Sequence, residues 1–182
     1  MSKTIIISRY FPRYHIRPGE PTFFVEAIWK ALANIHYSQS KYVVSDYKEL
    51  LNIHHNGINY YDETLQKFHT IRKGKRWKEG DRCSLRIWGD DINPKSGRKG
   101  PYHSKQIAIA PDLKILKVSD IDIYPTNEIF INGKFFCTFG SENHVILANG
   151  DGLNIPDMNS WFNKLPFTGQ IIFWSYPPHF EY

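Results

Sequence analysis

A chain of 182 residues that is 41% hydrophobic and 15% aromatic is long enough to bury a core and too apolar to stay disordered. No run approaches the ~20 apolar residues that cross a bilayer, and the first residues lack the apolar stretch and cleavage site of a secretory leader, so a cytoplasmic protein is expected. The net charge of +5 sits unevenly: positions 67–117 hold 14 Lys/Arg against 5 Asp/Glu, which leaves the remainder net acidic. Such a concentration is either a solvated face or a surface for a polyanion, and the aromatic residues inside it favour the second.

In chain order, positions 4–8 are short and β-branched and read as an opening strand. The turn Arg17-Pro18-Gly19-Glu20 leads into a helix predicted over 22–36, with Phe24, Ile28, Ala31, Leu32 and Ile35 on one face and Trp29 and Lys30 off it. A second helix is predicted over 46–52 with Asp46 as its N-cap, and 54–66 is irregular. Positions 68–72 are extended, and the turn at 78–81 feeds a strand over 82–88 in which Cys83, Leu85 and Ile87 alternate with polar neighbours. The Gly- and Pro-rich stretch 89–101 reads as a mobile loop carrying Lys95, Arg98 and Lys99. Strands are expected over 105–110 and 113–123, and a hairpin over 128–136 turns at Asn132-Gly133. Helices over 141–148 and 156–164 flank Gly150-Asp151-Gly152, and the apolar run 170–176 reads as a central strand. The order implies one α+β domain, a small mixed β-barrel wrapped by helices.

Cys83 and Cys137 form no Cys-x-x-Cys pair and read as buried free thiols. The eight histidines, including the adjacent His54 and His55, lack metal-ligand spacing, so neither metal nor cofactor is expected. His15 and His69 sit where either reaches a cleft or serves the core.

The distinctive stretch is Lys67-Phe-His-Thr70-Ile-Arg72-Lys73-Gly-Lys75-Arg76-Trp77-Lys-Glu-Gly80-Asp81. A lysine acts as a base only when neutral; neighbouring cations such as Arg72, Lys73 and Lys75, together with partial burial, disfavour its charged form. A neutral Lys67 would then activate Thr70 or a water against an amide carbonyl. The blander reading has Lys67 and Arg72 holding phosphates and Thr70 satisfying the backbone. Trp77, Trp88 and Tyr102 are interleaved with the cations and offer stacking faces for bases, with Trp77 the favoured one; Trp88 reads more readily as core. Ser104-Lys105-Gln106 presents donors to a phosphate or base edge, or simply begins a strand.

The segment Lys-x-x-Thr-x-Arg at Lys67, Thr70 and Arg72, the turn Gly80-Asp81, and Ala148-Asn-Gly-Asp151-Gly-Leu ahead of Trp161-Phe162 resemble, in order, the ASCH branch of the PUA-like fold. The resemblance runs from about position 67 to the C-terminus and treats 20–66 as a helical insertion and 89–101 as an added loop. It implies a PUA-like barrel whose cleft holds RNA, a nucleoside or a nucleotide. One branch of the family is implied to hydrolyse acetylated cytidine with a lysine, a threonine and a glutamate. Lys67 and Thr70 match the first two, and Asp151, one methylene shorter, falls at the glutamate's place. The expected binding residues are Arg72, Lys73, Lys75, Arg76, Trp77 and Lys105, with Lys67, Thr70 and Asp151 as the catalytic set. Three functions follow: an RNA- or nucleotide-binding module, an amidohydrolase on an acylated pyrimidine nucleoside, or an interaction protein of a phage or mobile element.

Overall fold

The computed structural model describes residues 2–36, 65–110 and 112–176. The helix expected over 46–52 and the histidines at 54 and 55 lie outside them. Among the described residues, two sheets and three helices share one apolar core. The first sheet runs β1 (Lys3–Ile6), β3 (Arg82–Trp88), β4 (Gln106–Ala108), with β5 (Leu113–Lys114) also paired to β3. The second is ordered β2 (His69–Lys73), β9 (Phe167–Phe173), β6 (Lys117–Ile123), β7 (Glu128–Ile131), β8 (Lys134–Thr138). The helices are α1 (Phe24–His36), α2 (Glu142–Gly150) and α3 (Ile155–Trp161). The α+β class holds, whereas neither sheet closes on itself into the small barrel that was expected.

Local chemistry accounts for much of this. Cys83, Leu85 and Ile87 alternate inward along β3, whose inner face pairs in parallel with β1 through Ile5↔Leu85. Asn132 (φ 51°) and Gly133 (φ 76°) both adopt left-handed backbone, as a two-residue hairpin turn between β7 and β8 requires. Ser141 caps α2 by accepting from His144 N, and Asn154 caps α3 by accepting from Asp157 N. The apolar run near the C-terminus is β9, which lies between β2 and β6 as a central strand.

Two expectations are corrected. The strand read over 113–123 breaks at Ile115–Leu116. β5 pairs with β3 in the first sheet and β6 with β9 in the second, and Leu116 N donates to Phe173 O (2.8 Å) as the chain crosses. No Gly or Pro marks that crossing, because burial of Ile115 rather than turn chemistry sets it. Trp29 is not off the apolar face of α1: its ring is buried and Nε1 donates to Ile109 O (2.7 Å). Val25, Ala27, Ile28, Trp29 and Ala31 of α1 belong to the core, and Ala27 O accepts from Lys67 N (3.0 Å).

The N-terminal loop between β1 and α1 is pinned to α3. Arg17 donates Nε (3.0 Å) and Nη2 (2.5 Å) to the two carboxylate oxygens of buried Asp157, in the fork geometry that suits a guanidinium. His15 meets Asp157 O through Nε2 (3.0 Å), lies stacked on Phe11 (4.1 Å), and so serves the core rather than a cleft.

Candidate functional site

The site begins with a meeting of backbones. Lys67, just before β2, and Asp151, just after α2, form an isolated antiparallel bridge, and Phe68 N donates to Gly150 O (2.9 Å). This places the Lys67 ammonium against Asp151, where it donates to both the carboxylate Oδ1 and the main-chain carbonyl. Lys67 is 1% exposed, the largest side chain so fully enclosed, and Asp151 is buried with it. The Phe24 ring centre lies 4.2 Å from Lys67 Nζ and lids the pair from the α1 side. Trp174 Nε1 donates to Lys67 O (3.1 Å) from beyond β9.

The two glycines that flank Asp151 have separate reasons. A Cβ at Gly150 would stand 2.6 Å from His69 Nε2, and one at Gly152 would stand 3.2 Å from Lys67 Cβ, where the backbone is also left-handed (φ 71°). At Gly150-Asp151-Gly152 α2 ends, and two buried side chains close on its backbone.

Electrostatics follow burial. Removal from water pushes the Lys67 ammonium down from its ordinary value, against the attraction of Asp151, and Arg72 adds a repulsion in the same direction. The Asp151 carboxyl is pushed up by burial, against the opposing pull of Lys67 and Arg72 and a hydrogen bond from the Ile71 backbone. The proton affinities of the pair are thereby drawn together, which is the condition for a lysine to give up a proton to a neighbour. His69, with Nδ1 3.8 Å from Asp151 Oδ1, is driven well below its ordinary value, first by burial and then by Lys67.

The sequence-predicted residues divide into three groups. Lys67 and Asp151 are brought together. Thr70 is buried two positions into β2 and makes no hydrogen bond to either, so the triad is two residues in contact and one apart. Arg72 is turned inward, its Nη2 donating to Ile6 O (2.6 Å), so it does not present a surface cation. Trp77 corrects the stacking expectation: it is 4% exposed and its main chain is clasped by Gln170, which accepts from Trp77 N (3.0 Å) and donates to Trp77 O (3.2 Å). Lys75 is exposed but paired with Asp120 (2.6 Å), and Arg76 is exposed with Nη2 donating to Thr4 O (3.1 Å). Lys73 and Lys105 are exposed and carry no ion pair among the described residues. Ser104 is spent on its own loop, accepting from Gly100 N and donating to Asp91 O (each 2.7 Å). Cys83 and Cys137 are buried free thiols.

Residues that sequence reasoning left out line a surface depression of about 80 Å³: Arg9, Tyr10, Thr22, Phe23, Phe24 and Glu26 among them. Phe24 is common to this depression and to the Lys67 enclosure. Phe23, at its edge, holds a positive φ of 56°, a costly backbone for an aromatic residue. The one available signal was the Thr22-Phe23-Phe24 start of α1. Among the described residues no cluster of His, Cys, Asp or Glu is suited to a metal ion, and no helix is long and apolar enough to cross a membrane. Comparison with protein-family models, with curated proteins and with solved structures finds no match.

A histidine held neutral by the fold contributes stability that is complete above its ordinary pKa of 6.5 and is lost as pH falls through the depressed folded value. His69 is such a group, and His144 is shifted in the same direction by burial. Urea unfolding measured from pH 7.5 down to about 5 should therefore lose free energy as the medium becomes acidic. His69→Gln should flatten that slope whatever it does to stability at pH 7.5. An unchanged slope in the variant would remove His69 as its source.

Proposed function

We propose that this chain is an ASCH-like domain of the PUA-like type that binds single-stranded RNA or a nucleotide on a basic face. The observation that carries the reading is how the charge between 67 and 117 is disposed. Two of its five acids are engaged, Asp81 by Lys3 (2.5 Å) and Asp90 by Arg9 (2.6 Å), each by a cation from the N-terminal segment. Lys73, Lys78, Lys95, Arg98, Lys99 and Lys105 are exposed and free of ion pairs among the described residues. Cations kept unpaired on a surface attract a polyanion and release its counterions on binding.

Binding of a fluorescein-labelled oligo(U) to the full chain, followed by anisotropy, tests this. Affinity should fall with salt with a log–log slope of about −2 or steeper, as expected for at least three phosphates of a single strand at about −0.7 each. Absence of binding at low salt, or a flat salt response, would end the reading.

A second reading is favoured by the buried Lys67–Asp151 pair: an amidohydrolase that removes an acyl group from a modified pyrimidine nucleoside, with Lys67 as base, Thr70 as the activated hydroxyl and Asp151 as the proton carrier. Burial that lowers the lysine and raises the aspartate supports it. The shorter acid and the absence of a Thr70 contact to the pair weigh against it. Incubation with acetylated cytidine, with products separated by chromatography, should then give cytidine and acetate, and Thr70→Val, close in shape and lacking the hydroxyl, should lower turnover at least about 100-fold. No turnover by the folded wild-type chain leaves the binding module alone.

A further inference from the structure

The exposed aromatic surface of this protein is not where its basic motif lies. Tyr102 is 87% exposed, the most open of the large apolar side chains among the described residues, and it sits in the 89–105 loop. It holds a positive φ of 67°, which costs a bulky residue strain and persists only where surrounding structure enforces it. The enforcement is visible. Gly89 N donates to Lys105 O (2.9 Å) and closes the loop's base. Asn93 accepts from the Lys95 backbone (2.9 Å) and donates to His103 O (2.9 Å). Ser104 N and His103 N both donate to Gly100 O (3.0 and 3.1 Å). The loop is thus irregular and still internally bonded, and it presents the Tyr102 ring to solvent.

Beneath that ring lies Trp88, the last residue of β3 and half-buried, with ring centres 5.5 Å apart and planes at 50°. Trp88 is itself fixed by pairing with Gln106 of β4 and by Arg9, whose Nη1 donates to Trp88 O (3.3 Å). The same loop carries Lys95, Arg98, Lys99 and Lys105, all exposed and without an ion pair among the described residues. The nearby acids are Asp90, engaged by Arg9, and Asp91, which is exposed. Within the 67–81 motif, by contrast, Lys67 and Arg72 are turned inward, Lys75 is paired with Asp120 and Trp77 is core, while Lys73 and Arg76 remain exposed.

We propose that the 89–105 loop is a stacking platform for single-stranded nucleic acid, in which a base lies on Tyr102, backed by Trp88, while Lys95, Arg98, Lys99 and Lys105 hold the flanking phosphates. This rests on the binding reading above and moves its contact surface away from the motif. A rigid aromatic with a π-face open to solvent accepts any base, and unpaired cations on both sides of it follow a phosphate backbone. Strand-end anchoring through Trp88 supplies the rigidity that a free loop lacks.

The test uses the full chain, labelled oligo(U) of about 12 nucleotides, within the site sizes usual for single-strand binders, and inorganic polyphosphate as a polyanion without bases. Tyr102→Ala should weaken oligo(U) binding about 5- to 100-fold and leave polyphosphate binding unchanged, whereas Tyr102→Phe should bind like the wild type. Replacing Lys95, Arg98 and Lys99 together by Ala should weaken both ligands and make the salt slope shallower by about 2 units. Tyr102 and the three cations are exposed, so unfolding curves should match the wild type and show that the variants fold. Oligo(U) binding that survives both changes would overturn the platform and leave the binding reading standing on another surface. Equal loss of oligo(U) and polyphosphate in Tyr102→Ala would overturn stacking. Failure of the wild type to bind oligo(U) at all would remove both proposals together.

Discussion

The Lys67–Asp151 contact joins parts of the chain that lie 84 positions apart. An ammonium and a carboxylate without water tolerate each other only when paired, and each carries a desolvation cost that the other offsets. Lys67 lies at the head of β2 and Asp151 at the end of α2, so their contact ties the edge of the five-stranded sheet to the helical layer. Phe24 extends that tie to α1, and the Trp174 indole reaches the same place from the end of β9. Four elements thus converge on one buried charge pair, with His69 and Arg72 as close neighbours.

That convergence explains features that look arbitrary in isolation. Gly150 and Gly152 leave room for His69 and Lys67. The N-terminal loop, held by Arg17 on Asp157 and by His15 under Phe11, carries Tyr10 to Phe24 past the same region and shapes the depression beside it. The protein therefore has a closed, charged interior and, separately, a basic aromatic loop on its surface.

What was legible in the sequence was what local chemistry decides. Alternation along 82–88 and the Asn132-Gly133 turn each specify their structure within a few residues. The nearness of Lys67 and Asp151, 84 positions apart, was legible only through the resemblance to a known family, since no periodicity reaches that far. What escaped is tertiary. Trp77 stands among cations and reads as exposed, yet a reciprocal amide clasp from Gln170, 93 positions away, draws its main chain into the core. Trp29 widens the buried face of α1 because Ile109 O offers its indole a partner. The stretch 113–123, read as one strand, hides a change of sheet, because each half finds a different partner strand. Tyr102 was visible as an aromatic among cations, while its exposure and strain belong to the folded loop.

The central claim is that the Lys67–Asp151 pair is a coupled unit that the fold depends on. A double-mutant cycle with Lys67→Met, Asp151→Leu and the combination, each measured by urea unfolding of the full chain, tests it most directly. Either single change leaves an uncompensated buried charge and should cost about 3–5 kcal/mol, or prevent folding. The double variant should be more stable than either single one, with a coupling of about 2 kcal/mol or more. Single losses that simply add in the double variant would show two independent residues and contradict the account.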